Sequence, residues 1–313
     1  MNILVTGARG FLGRHLIGPL IADAGNNVVA LVRDQRAIRG WYHTENWDAV
    51  TDVIGNVCDL PFMERVLAEH EIYTVYHLAS QVQVSVAEAN PVGTFDSNIR
   101  GTWSVLEACR RQKVRRIIIA STDKAYGDGP VPYIETQPMA GRAPYEVSKS
   151  CADLIAQSYI ETYGMSIAIT RCGNLYGPGH MNFSTLIPGT IRSILEGKAP
   201  VLRSDGTMRR DYLYVEDAVD AYVKLAESCL TGAFNFGSGE ASSSVLAIVK
   251  AILLLMKSDL RPDIRRTAKH EIQDQWLDIT KARRDLGWEP KTSLEEGLKK
   301  TIAWYRSFLG ENK

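Results

Sequence analysis

The chain has 313 residues, more than one average domain but within reach of a single α/β core that carries a smaller partner. Lysine plus arginine equal aspartate plus glutamate at 36 each, so no net field draws the protein to nucleic acid or to an anionic membrane, and any charged ligand must be held by local groups. The five cysteines (Cys58, Cys109, Cys151, Cys172, Cys229) are odd in number and scattered, which argues against a disulfide framework or a metal knuckle and fits a reducing compartment.

Met1-Asn2-Ile3-Leu4-Val5 runs straight into an apolar strand without the basic and apolar regions of a secretory signal, and the expectation is a cytoplasmic protein. Short apolar runs then alternate with stretches of helical period, the order of βαβ units in a parallel sheet covered on both faces. Strands are predicted at Asn2–Thr6, Val28–Val32, Thr74–Leu78, Arg116–Ser121, Ser166–Arg171 and Ala233–Phe236. Phe11, Leu12, Leu16, Ile17, Leu20 and Ile21 recur at helical spacing between the first two. After Arg171 the alternation weakens and Gly- and Pro-punctuated segments appear. The expected fold is therefore a Rossmann-type, doubly wound parallel sheet of residues 1–171 and 211–237, with a smaller α/β substrate lobe of residues 172–210 and 238–313. The most apolar helical stretch, Val245 to Met256, is interrupted by Lys250 and is too short to span a bilayer.

Gly7, Gly10 and Gly13 lie between the first strand and the first helix, with Phe11 and Leu12 opening that helix. In that context glycines let the backbone approach a pyrophosphate at a helix N-terminus. Gly7 is expected to make the turn, Gly10 to clear the phosphate's path and Gly13 to let helix and strand pack closely. The second strand ends Leu31-Val32-Arg33-Asp34, without the usual acid that accepts from an adenosine ribose. A guanidinium at Arg33 suits a 2′-phosphate, so NADP and NAD both fit; a solvated Arg–Asp turn is the plainer alternative. Asn56 and Val57, after a third strand, are candidates for the adenine edge.

Tyr145 and Lys149 open another amphipathic helix, and their spacing places phenol and ammonium on one face. A free phenol titrates near pH ~10, so a neighbouring cation is needed if it is to accept protons at neutral pH. Lys149 supplies one.

Together Gly7–Gly13, Tyr145/Lys149 and the strand-end segment Ser121-Thr122-Asp123-Lys124-Ala125-Tyr126-Gly127 resemble the extended short-chain dehydrogenase/reductase (NAD-dependent epimerase/dehydratase) family over nearly the whole chain. Arg171 through Gly179 and Arg209 through Asp217 are similar to its sugar-nucleotide members. Ser-Thr-Asp-Lys, Asn182 through Arg192 and Arg203 through Thr207 look most like CDP-glucose 4,6-dehydratase and related nucleotide-sugar 4,6-dehydratases. The resemblance implies a nucleotide-activated hexose as substrate and a tightly bound NAD or NADP that is recycled in each turnover. Hydride leaves C4, water is lost across C5 and C6, and hydride returns to C6. Thr122 and Tyr145 are implied at the 4-hydroxyl, Asp123 as the acid and Lys124 as the base, where many relatives carry glutamate. Neighbouring carboxylate and ammonium groups favour each other's charged forms, so that assignment needs desolvation beneath the sugar to move a proton from lysine to aspartate.

The resemblance further implies that Leu78, Ala79, Ser80 and Cys172 line the nicotinamide end. It places Gln81, Gln83 and Ser85 at the sugar, and Asn174, Leu186, Ile187, Arg203 and Arg210 at the pyrophosphate. His77 reads as a satisfied core histidine. His270 and Trp276 fall where relatives recognise the base, but without their arginine-rich pattern. Helices around 98–112 and 145–163 are expected to form a homodimer interface. A 4-epimerase is the alternative enzyme, against which Asp123 and Lys124 argue. A non-catalytic nicotinamide-binding regulator is the alternative of another class, against which the retained Thr122, Tyr145 and Lys149 argue.

Overall fold

The computed structural model describes residues 1–33, 47–239, 243–267 and 272–310. Its centre is a sheet of seven strands, all parallel. These are β1 (Asn2–Thr6), β2 (Asn27–Val32), β3 (Val50–Ile54), β4 (Thr74–His77), β5 (Arg116–Thr122), β6 (Ile167–Cys172) and, at the edge beside β6, Gly232–Phe236. Across the sheet the order is Gly232–Phe236, β6, β5, β4, β1, β2, β3, so successive strands are added on one side of β1 up to β3 and on the other side from β4 on, and the strand order reverses between β1 and β4. In such a sheet ligands bind outside the carboxyl ends of the strands at that reversal.

Strand alternation feeds two cores. Ile3, Val5, Val28 and Ala30 face α1 (Phe11–Ala22), through Leu16, Ile17 and Leu20, and the helix Val215–Glu227, through Ala218, Tyr222 and Leu225. Leu4, Val29, Leu31, Val75, Ile117 and Ile119 face the other way. They meet Met63, Val66 and Leu67 of α2 (Leu60–Glu69), Val105, Leu106 and Cys109 of α5 (Gly101–Arg111), and Ala156 of α6 (Pro144–Tyr163). Each fully buried aliphatic side chain contributes about 1.5–3 kcal/mol, and the period of two in β1 fills both layers at once.

Between α2 and α5 lie the short helices α3 (Val84–Ala89) and α4 (Pro91–Phe95) and a π-helical turn at Asp96–Arg100. A third core lies beyond β6: Ile187 and Ile191 of α7 (Leu186–Leu195) pack with Ile248, Ile252, Leu298, Ile302, Tyr176 and Tyr214. The segment from Ile279 to Trp288, which the sequence reading assigned to the second lobe, packs instead on the sheet: Ile279, Ala282 and Trp288 belong to the α1-side core, with the Trp288 ring edge-on to Phe236 at 4.9 Å. Among the described residues no helix is long and apolar enough to cross a membrane, and no group of three His, Cys, Asp or Glu is placed to hold a metal ion.

Candidate active site

One cleft of about 1920 Å³ runs from the glycine loop, past the ends of β4, β5 and β6, to α7 and Arg210. Gly7 has φ +70°, the left-handed turn expected of it, and Gly10 caps α1 with no side chain, leaving the first helical N–H groups open to the cleft. A Cβ on Gly10 would approach only the Gly7 carbonyl, at 3.1 Å, whereas one on Gly13 would lie 2.4 Å from that carbonyl and 2.6 Å from Ala8 O. Gly13 thus makes room for the loop's own backbone rather than for helix against strand as expected. Phe11 stacks on His180 with centroids 4.4 Å apart, and His15 lies 2.9 Å from Pro178 O, so the glycine-loop helix is tied to the segment after β6. These open donors in a glycine cradle fit a dinucleotide pyrophosphate.

Leu12, Arg33, Asn56 and Val57 line the same end. Arg33 is exposed directly after buried Val32, while Asp34 lies outside the described residues. Asn56 Oδ1 accepts from Cys58 N at 3.0 Å. Arg9 pairs with Asp52 of β3 and covers the Trp47 ring at 5.2 Å, contacts that the sequence reading did not foresee. Leu78, Ala79 and Ser80 follow β4 along the cleft, and Ala79 N donates to Thr6 Oγ1 at 3.2 Å. His77, 3% exposed, lies between Thr6 Oγ1 at 2.9 Å and Thr102 Oγ1 at 3.1 Å. Burial, and then the Lys149 charge, push its pKa down to about 3. It is the neutral core histidine expected.

α6 begins at Pro144, with Glu146 Oε2 accepting from Ala143 N at 3.1 Å and Arg142 N at 2.9 Å, and ends at Gly164 with φ +61°. This start puts Tyr145 and Lys149 into the cleft, 7% and 5% exposed. Lys149 Nζ donates to Ala120 O at 2.9 Å, and burial lowers its pKa to about 8, opposed by Asp153 and Cys172. The Thr122 hydroxyl beside Tyr145 favours the phenolate, yet burial, followed by Asp123, drives the phenol's pKa upward. The lowering expected from Lys149 thus does not govern the phenol in the chain alone; desolvation, which penalises the phenolate, does. Asn98, missed in the sequence, locks the corner: its amide accepts from Gln81 N at 2.7 Å and donates to Gln81 O at 2.9 Å and Ser148 Oγ at 2.8 Å.

After β5 a 3-10 turn, Asp123–Tyr126, carries the acid and the lysine. Its mount is held on several sides: Tyr126 OH donates to Asn235 Oδ1 at 2.7 Å, and Arg171 donates through Nη1 to Tyr126 OH at 2.8 Å while Nε and Nη2 donate to the two carboxylate oxygens of Asp153. Tyr133 stacks on Tyr126 at 4.8 Å and bridges to Leu277, taking a hydrogen bond from Asp278 N and giving one to Trp276 O, both at 2.9 Å. Asp123 is 1% exposed; its Oδ1 lies 3.1 Å from Thr122 Oγ1 and 3.9 Å from Lys124 Nζ. Lys124 Nζ also reaches Asn174 Oδ1 and Gln275 Oε1, both at 3.5 Å. Gln275, 2% exposed on the short strand Asp274–Gln275, carried no sequence signal, because a two-residue strand has no period to read.

The remaining expected residues divide. Gln81, Gln83, Ser85, Cys172, Leu186, Ile187, Arg203 and Arg210 all line the cleft. Gln81, however, uses its amide on its neighbour, accepting from Gln83 N at 2.7 Å and donating to Gln83 O at 3.2 Å. Asn174, expected at the pyrophosphate, is engaged at both ends: Nδ2 donates to Asp211 O at 3.1 Å and Oδ1 faces Lys124. α7 starts at Leu186 with no side-chain cap, so its N-terminus is open to an anion. Arg210 donates to Arg209 O at 2.8 Å and Gln273 O at 3.1 Å, which hold its guanidinium at the cleft wall, while Arg203 is exposed. Arg209 covers the Trp276 ring at 4.8 Å; His270 lies outside the described residues.

The GDP-mannose 4,6 dehydratase family model matches residues 4–301. The dTDP-glucose 4,6-dehydratase of Shigella flexneri is 31% identical over 342 residues, spanning 97% of this chain and 92% of that protein. Among solved structures, UDP-glucose 4-epimerase of Thermotoga maritima superposes with a TM-score of 0.91 at 30% identity, covering 99% of this chain and 100% of that one. The dTDP-glucose 4,6-dehydratase of Streptomyces venezuelae, solved with NAD bound, gives 0.89 at 27% identity, covering 99% and 98%. The dehydratase relatives carry dTDP-glucose in their names, so the expected likeness to a CDP-glucose enzyme is replaced by the broader one to nucleotide-sugar 4,6-dehydratases. The chain belongs to the GDP-mannose 4,6 dehydratase family, within the NAD-dependent epimerase/dehydratase superfamily of extended short-chain dehydrogenase/reductases.

Proposed function

We propose that this protein is a nucleotide-sugar 4,6-dehydratase that converts a nucleoside-diphosphate hexose to its 4-keto-6-deoxy form. The observation that carries the reading is the corner where Thr122 and Tyr145 stand beside Asp123 and Lys124. Oxidation at C4 needs only the first two with Lys149. Loss of water needs in addition a group to take the C5 proton and one to protonate the C6 hydroxyl, because the 4-ketone acidifies C5 but does not expel hydroxide unaided. The bound nicotinamide dinucleotide supplies a hydride acceptor and, at the end, the hydride for C6.

Tyr145 accepts the C4 hydroxyl proton, Thr122 orients that hydroxyl, and Lys149 holds the ribose and favours the phenolate. Gly7, Gly10, Gly13 and the open end of α1 take the cofactor pyrophosphate; α7, Arg210 and Arg203 take that of the substrate. Arg33 at the adenosine end suits NADP, whereas the solved relative carries NAD, and direct titration with both decides between them. We further place the enzyme in the cytoplasm, as a homodimer through α5 and α6, in agreement with Trp103 at 46% and Leu154 at 52% exposure on those helices.

Incubating the purified protein with a panel of nucleoside-diphosphate hexoses should yield a product lighter by one water in mass spectrometry. Unchanged mass with altered chromatographic retention means a 4-epimerase, the activity of a relative with the same fold. No turnover of any hexose sinks both readings.

A further inference from the structure

Two buried atoms in the catalytic corner, Asp123 Oδ2 and Gln275 Nε2, lack a hydrogen-bond partner, and the groups nearest Lys124 Nζ are oxygens: Asn174 Oδ1 and Gln275 Oε1 at 3.5 Å and Asp123 Oδ1 at 3.9 Å. The orientation of Asn174 is fixed independently, because its Nδ2 donates to Asp211 O at 3.1 Å and its oxygen must therefore face the lysine. An ammonium has three protons and no lone pair, so three acceptors around one nitrogen match the charged form. A carboxylate close by strengthens that preference. Around Asp123 the pattern is the reverse, since Thr122 Oγ1 donates to Oδ1 at 3.1 Å, the Lys124 ammonium lies 3.9 Å from the same oxygen, and the lone pairs of Oδ2 are unused.

We propose that Asn174 and Gln275 are positioning residues that hold Lys124 as an ammonium, so that Lys124 is the acid and Asp123 the base in the loss of water. This rests on the dehydratase reading and reverses the roles that the family resemblance implies. With C4 a ketone, the Asp123 carboxylate takes the C5 proton, and the C5–H electron pair passes into the C4 enolate. As the enolate collapses, that pair forms the C5–C6 double bond and the C6–O bond breaks. The departing oxygen takes a proton from Lys124 and leaves as water. Asp123 is left as the neutral acid and Lys124 as the neutral amine. The proton on Asp123 returns to C5 when hydride reaches C6, and Lys124 recovers its proton from solvent. The buried Gln275 Nε2 gains its missing acceptor when the C6 oxygen arrives.

The test separates proton abstraction from water loss. Each variant is run in deuterated water with the nucleoside-diphosphate hexose that the wild type dehydrates. Deuterium at C5 of recovered substrate is read by NMR and loss of water by mass spectrometry. Lys124→Met should slow water loss on the order of a hundredfold or more while C5 exchange persists. Asp123→Asn should lose both. Gln275→Met should slow water loss with KM little changed, and Gln275→Glu, which restores an acceptor beside the ammonium, should recover it. Exchange lost in Lys124→Met and kept in Asp123→Asn, or exchange abolished by Gln275→Glu, would mean that Lys124 is the base and overturns the assignment while leaving the dehydratase intact. A wild type that removes water from no hexose overturns the dehydratase reading and the assignment together.

Discussion

At the end of the cleft proposed for the dinucleotide the groups offered to a ligand are backbone, those of Gly7, Gly10 and the open first turn of α1, contributed by one uninterrupted stretch of chain that Gly13 allows to pack on itself. At the sugar end they are side chains from separate segments, with Lys124, Asn174 and Gln275 meeting across as many as 151 positions of sequence. Backbone donors keep their geometry whatever the neighbouring residues are, provided the turn can form. A clamp of long side chains is only as exact as the packing behind each one, here Tyr126 on Asn235, Arg171 on Asp153 and Tyr133 on Leu277. The first end can therefore serve many chemistries, while the second fixes one.

Mutations sharpen that contrast. The largest effect should come where the two ends meet: Tyr145→Phe should cut turnover about a thousandfold with the circular dichroism spectrum unchanged. Next is Gly13→Ala, whose methyl would collide with the Gly7 and Ala8 carbonyls. It should cost about 3 kcal/mol of stability in urea unfolding and weaken dinucleotide binding. Smaller is the effect of pH on His77 beneath the glycine loop, with its pKa near 3 in the fold against 6.5 for the free side chain. In that window the unfolded chain binds more protons, so stability falls as pH drops below 6.5. The His77 share at pH 5 is about 2 kcal/mol, and His77→Gln should flatten the slope by that amount. The smallest effect belongs to the sugar end's outer wall: Arg210→Ala should raise the substrate KM about tenfold and leave stability and dinucleotide affinity alone, the size of one charge-assisted contact.

The same contrast decides what could be read from the residues. All six predicted strands lie within one residue of their observed ends at both termini, because buried parallel strands are short unbroken apolar runs. β3, with Thr51, Asp52 and Ile54 exposed at the sheet edge, lacks such a run and could be placed only roughly. That the glycine loop, Tyr145 and Lys149 share one cleft was legible because each group is set by spacing along one segment. Asn98 and Gln275 were not, since each acts through partners that only the tertiary fold brings near. Asn174 was found but assigned to the pyrophosphate, because a motif gives a residue's neighbourhood and not the direction of its amide. The upward push on the Tyr145 phenol was beyond reach for the same reason: its desolvation depends on what covers it.

The bridge between Tyr133 and Leu277 has a practical consequence for exchanging parts among relatives. It fastens the late strand bearing Gln275 to the turn bearing Lys124, in the neighbourhood of Trp276 and Arg209. A chimera that imports the segment after residue 272 from another enzyme replaces the grip on the lysine together with the outer pocket wall. Substrate preference and the fate of the C6 oxygen would then be inherited as one block, and grafting the first alone requires that Gln275 and Leu277 be left in place.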